Sequence, residues 1–131
     1  MKRPALLLVL TSLAVAAPGH SADARLNKSF RKPAQAGWIF VHLEGKPSEI
    51  GYQHGYLLAP EIADAQKAIK LALTPDSKDW NYFRTVSEKV LWPHVPPGYR
   101  EELTGIVPGW AAKRVKLDVW AILPMHAGLG L

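Results

Sequence analysis

Two glycines four residues apart, Gly51 and Gly55, lie in the stretch EGKPSEIGYQHGY inside a run with helical periodicity. A glycine in a helix interior costs about 1 kcal/mol relative to alanine. Two of them at i and i+4 leave one helix face smooth, and the return expected is close approach of a strand or another helix. No other feature constrains the fold as much. The competing reading is a phosphate loop, because the stretch follows an apolar run and opens a helix. It matches neither G-x-G-x-x-G nor G-x-x-x-x-G-K-[ST], so packing is the reading taken.

The helical stripe consists of Ile50, His54, Leu58, Ile62, Ala65, Ile69 and Leu73. Pro47 suits the first turn and Ser48 the cap. Pro60 should kink or restart the helix near Ala59, and TPDS at 74–77 should end it. Upstream, WIFVHLEG at 38–45 reads as a strand with Ile39, Val41 and Leu43 on one face. Trp38, Phe40 and His42 form the other face, and both should be covered. Residues 25–36 read as a flexible leader. Downstream, residues 79–92 should be helical with Trp80, Phe83, Val86 and Val90 inward and Pro93 as the stop.

A stiff loop, PHVPPG at 93–98, should precede a helix over 99–114. Leu103, Ile106 and Trp110 share one side of it, and Pro108 and Gly109 weaken its middle. Asp118 can cap a fifth helix, with Leu117 and Ile122 placed for a hydrophobic staple. Pro124 falls in the second turn of that helix, so 123–131 reads as a divergent tail. The fold class is α+β, one N-terminal strand followed by four or five helices.

Residues 1–24 have the three parts of a secretory signal: Lys2 and Arg3, an apolar run over 5–17, and small residues up to Ala22 or Ala24, after either of which cleavage is expected. The apolar run is shorter than the roughly 20 residues a membrane-spanning helix needs. The product is therefore expected to be exported, to the periplasm or the medium, with no membrane span after cleavage. About 107 residues would remain, enough for one small core. No cysteine is present. Disulfides, a Cys nucleophile within this chain and Cys metal sites are thereby excluded. The net charge of +5 is scattered among acids rather than clustered on one face, which argues against a nucleic-acid partner.

Chemistry-bearing residues are few. His42, His54, His94 and His126 show no metal-ligand spacing, so neither a metal nor another cofactor is expected. No serine or threonine sits in G-x-S-x-G. His54 is the best titratable candidate for catalysis, although a histidine on an apolar stripe is more often a satisfied core residue than a catalytic one. Tyr52 and Gln53 face away from the stripe and read as surface or partner contacts.

Three stretches, LEGKPSEIGYQHG at 43–55, YREELTGI at 99–106 and LDVW at 117–120, occur in this order. Together they resemble the N-terminal part of the isopenicillin N acyltransferase-like family and its phospholipase B-like relatives, over residues 37–122. The resemblance implies an N-terminal-nucleophile hydrolase with an αββα sandwich, of which this chain would be an incomplete fragment. Such precursors cut themselves just before a cysteine, which then attacks an amide or ester. In the family that cysteine follows the LDVW helix, so none of its catalytic residues falls on this chain.

Gly45, Pro47, Glu49, Gly51, Tyr52, His54 and Gly55 carry the first motif as architecture, seating a helix against a sheet. The implied partners are a C-terminal β segment or a separately encoded β chain, and the acyl amide or ester substrate of the parent enzyme. The alternative is a small, non-enzymatic, exported helical binding or adaptor protein.

Overall fold

The computed structural model of the chain describes residues 23–73 and 79–127. Among these the fold is α+β and mostly helical. A two-stranded antiparallel sheet, β1 (Phe30–Arg31) and β2 (Val41–His42), precedes five α-helices. They are α1 (Pro47–Leu57), α2 (Ala59–Leu73), α3 (Trp80–Val86), α4 (Pro97–Ala112) and α5 (Val119–Ala127). The secretory signal, apart from its last two residues, lies outside the described residues, as do the helix stop at 74–77 and residues 128–131.

The N-terminal region departs from the sequence reading. Residues 25–36 are not a leader without structure: a 3-10 turn over Ala24–Leu26 is capped by Asp23, and β1 follows. Phe30 pairs with His42 and Arg31 with Val41. Gln35 and Trp38 close the hairpin by exchanging both backbone hydrogen bonds at 2.9 Å. Between them stand Ala36 at φ 49° and Gly37 at φ 83°. Two positive φ values make the tight hairpin turn whose twist matches that of the strands. Its usual residues are Asn-Gly or Asp-Gly, so Ala-Gly does not announce it.

The strand expected over 38–45 is reduced to two residues, and it is not covered on both faces. Trp38 is 82% exposed and Phe40 55%. On that face Phe30 stacks on His42 at 5.3 Å and tilts against Phe40 at 6.0 Å. From the opposite face Arg31 reaches the Leu57 carbonyl at 2.9 Å and the Glu61 carboxylate at 2.6 and 2.9 Å. These bonds tie the ribbon to the α1–α2 junction.

Helix α1 begins as Pro47 requires, with the fixed φ of proline in its first turn. The N-cap is Lys46, not Ser48. Lys46 cannot accept a hydrogen bond, so Glu49 supplies half of a capping box, taking the Lys46 N–H at 2.8 Å. Gly45 enters the turn at φ 144°, where a β-carbon would collide with the Glu49 side chain. At Leu58 the helix breaks and α2 restarts at Ala59, as Pro60 dictates.

Helix α3 starts at an Asp79 cap, whose Oδ1 accepts the Tyr82 N–H at 2.8 Å. It passes into a π turn over Ser87–Leu91 and a 3-10 turn over Trp92–His94. The π turn adds a residue per turn and rotates the inward face. Val90, expected inward, is therefore 55% exposed, and Ser87 is buried instead.

Helix α4 runs unbroken through Pro108 and Gly109. Pro108 lies on the exposed side, where water can serve the carbonyl that a proline leaves without an amide partner. Helix α5 also continues through its proline. Residues 123–127 are helical rather than a divergent tail, and Ala121, Ile122 and Leu123 are buried. Asp118 caps it, accepting the Ala121 N–H at 3.1 Å. The core joins Ala59, Ile106, Trp110 and Ile122, with Ile62, Leu103, Val107, Val115 and Leu117 packed around them. Leu117, placed by the sequence to staple onto Ile122, packs against the cluster that contains Ile122.

Candidate functional site

The first-motif glycines serve a helix–helix contact, not the helix–sheet contact expected. A β-carbon on Gly51 would run into the Glu102 carbonyl, and one on Gly55 into the Ile106 carbonyl. From the facing helix, Gly105 is blocked by the Ser48 carbonyl and Gly109 by the Tyr52 carbonyl. Four glycines, two on α1 and two on α4, let the backbones touch where side chains would hold them apart. Ser48 was read as a cap; its backbone is instead part of this contact.

The buried face of α1 consists of Gly51, Tyr52, Gln53 and Gly55. Tyr52 and Gln53 are therefore not surface residues: they are 3% and 2% exposed. Gln53 Oε1 accepts the Glu44 N–H at 2.9 Å, and its Nε2 donates to the carbonyls of Glu44 at 2.9 Å and Arg25 at 2.8 Å. One side-chain amide thereby satisfies three backbone groups in two separate segments. The Tyr52 hydroxyl donates to Asp23 Oδ2 at 2.6 Å. The Arg25 guanidinium lies 3.5 Å from the Tyr52 ring centroid and pairs with both Asp23 oxygens. The partners of Tyr52 and Gln53 lie 29, 28 and 9 residues away, beyond any helical period.

Charge follows this geometry. The Arg25 guanidinium, and then the Tyr52 hydroxyl, hold the Asp23 carboxyl far below the usual carboxylate range. Burial, and then the bond to Asp23, push the Tyr52 phenol up. Arg84 holds Asp118 low through a two-point pair at 2.7 and 2.9 Å, and Arg31 does the same to Glu61. Each is a structural pairing that orders neighbouring segments.

His54 is half-buried rather than in the core. It opens on an apolar hollow of about 340 Å³ whose walls include Val95, Leu103, Ile106 and Leu123, with Tyr99 and Glu102 also lining it. Among the described residues no serine or threonine lines this hollow.

A second hollow, of about 560 Å³, lies between α2, α3 and the start of α5. Gln66, Trp80, Asn81, Arg84, Lys116 and Asp118 line it. The sequence reading passed over it, because Gln66 is polar and stands one place beyond Ala65 in the apolar stripe. Gln66 is nonetheless buried, whereas Ala65 is exposed.

Among the described residues no group of three His, Asp or Glu could hold a metal ion. No described helix is long and apolar enough to cross a membrane. The chain matches no family model, no curated protein and no solved structure.

Proposed function

We propose that the chain is the non-catalytic N-terminal part of an exported N-terminal-nucleophile acyltransferase or amide or ester hydrolase. One observation carries this reading. The two longest stretches on which the resemblance rests, 43–55 and 99–106, pack on each other through Gly51, Gly55 and Gly105. Residues that form a motif only in combination are in direct contact here. The third stretch supplies Asp118, which caps α5 and pairs with Arg84.

In this reading the chemistry belongs to a partner segment. A thiolate attacks the acyl carbonyl, expels an amine or alcohol, and passes the acyl group to water or another acceptor. This chain has no cysteine to do so. Its role is to present the α1–α4 pair and the uncovered aromatic ribbon as a scaffold for the cysteine-bearing part of a sandwich.

The test is to translate the gene downstream of the Leu131 codon in all frames. Any segment that begins at a cysteine is then co-expressed with this chain. The expected result is turnover of simple amide or ester substrates by the pair and none by this chain alone. Turnover by this chain alone contradicts the reading. So does the lack of any cysteine-bearing segment in the gene or its neighbours, which leaves a small helical binding protein.

A further inference from the structure

The hollow beside His54 has the parts of a site for a small organic cation. It holds about 340 Å³ between α1, the first half of α4 and α5. That is within the size range of pockets that take small molecules. Tyr99, Glu102, Leu103 and Ile106 recur at helical spacing, so they share one face of α4. With Val95 and Leu123 they give the hollow a largely apolar wall.

The charge on this lining is unbalanced. Among the described residues there, Glu102 is the one carboxylate, and no lysine or arginine is present to match it. Glu102 is half-buried and makes no ion pair or side-chain hydrogen bond with a described residue. The cation closest to it in sequence, Arg100, is committed elsewhere. It donates to the Val95 and Pro93 carbonyls at 2.7 and 2.9 Å and lies 5.4 Å from the Trp92 ring centroid. A carboxylate beside apolar surface loses solvation, and a counter-charge is the partner it can gain. Tyr99, 65% exposed, adds an aromatic ring to the same lining, and ring faces attract cations.

We propose that this hollow binds a small primary amine with an apolar body. The body lies against Val95, Leu103, Ile106 and Leu123, and the ammonium pairs with the Glu102 carboxylate beside the Tyr99 ring. An apolar wall with a few polar groups that fix orientation suits a ligand of this kind. A protonated His54 would oppose the ligand, so binding is read at about pH 8, where an ordinary imidazole is neutral. The proposal stands apart from the acyl-transfer reading: it concerns binding by this chain alone, and neither a partner segment nor turnover enters its test.

The test titrates the isotopically labelled full chain with phenethylamine, phenethyl alcohol and hydrocinnamate, followed by NMR. Phenethylamine is expected to shift the backbone amides of Leu103, Ile106 and Leu123 saturably. Phenethyl alcohol has the same shape without the charge and should bind roughly tenfold more weakly, the loss of one charge-assisted contact. Hydrocinnamate, with the opposite charge, should give no saturable shift at these amides. Glu102→Gln, which keeps the shape of the side chain, should bring the amine down to the affinity of the alcohol. Glu101→Gln removes the same charge from an exposed position next to it and should leave the amine's affinity unchanged. The proposal is overturned if phenethylamine leaves these amides unmoved, or if the alcohol or hydrocinnamate binds as well as the amine. It is equally overturned if Glu102→Gln leaves the amine's affinity unchanged, or if Glu101→Gln lowers it as much as Glu102→Gln does.

Discussion

Gln53 pairs with Glu44 as a neighbouring strand would: its Oε1 takes the Glu44 N–H and its Nε2 gives a bond to the Glu44 carbonyl, both at 2.9 Å. A side chain of α1 thereby completes the backbone hydrogen bonding of the segment leaving β2. The same amide holds the Arg25 carbonyl, so the 3-10 turn and the end of the ribbon meet at one residue.

Gln53→Ala should therefore destabilise the fold by about 3 kcal/mol, because it strips partners from three backbone groups at once. Gln53→Glu should cost a similar amount, since a carboxylate cannot donate to the two carbonyls. Urea unfolding measures the loss. Hydrogen exchange at the Glu44 amide should quicken in both variants while amides in α4 follow only the global change.

Glycines that look alike in sequence should respond in opposite directions to the same substitution. Gly55→Ala adds a β-carbon against the Ile106 backbone, and should cost about 2 kcal/mol even after the roughly 1 kcal/mol gain in helix propensity. Gly98→Ala, in the first turn of α4, meets nothing within 4 Å and should stabilise by a few tenths of a kcal/mol. Melting temperatures of the two variants decide this directly.

Much of the helical scaffold was legible because its signals are local. Pro60 broke the helix where expected, Asp118 capped α5, and the smooth Gly51–Gly55 face predicted a close approach. What was not legible depends on distant partners or on shifts in phase. Tyr52 and Gln53 read as surface because residues 23, 25 and 44, which bury them, share no period with α1. The π turn at Ser87–Leu91 rotated Val90 outward, and no residue pattern announces an extra residue in a turn. Helix α5 is apolar all round, so it showed no amphipathic stripe to read through Pro124. The hollow at Gln66 was missed for a related reason: a buried glutamine looks like a solvated one until the neighbouring elements close around it.

Stability should fall with acid. Asp23, Asp118, Glu61 and Glu44 are all held low, chiefly by Arg25, Arg84, Arg31 and Lys28 in turn. A carboxylate lowered in the folded state contributes stability that is fully present above its unfolded value. That contribution is lost as pH falls through the folded value. The melting temperature should thus be insensitive to these groups at neutral pH and decline below about pH 4. Asp118→Asn should lower it at neutral pH and flatten the acid decline.

The hairpin turn carries a removable strain. Ala36 holds φ 49°, a region costly for alanine and tolerated by asparagine. Ala36→Asn should stabilise by about 0.5–1 kcal/mol, and Ala36→Val should destabilise by more than that. Chemical denaturation resolves both.

The central claim is that the EIGYQHG stretch is architecture, the surface on which one helix lies against another. The most direct test is a nuclear Overhauser experiment on the glycine α-protons. The account predicts strong cross-peaks between Gly51 and Gly105 and between Gly55 and Gly109, pairs 54 residues apart in sequence whose backbones are in contact. If those cross-peaks are missing while each helix shows its own sequential pattern, the two helices do not touch through their glycines, and the account is wrong at its foundation.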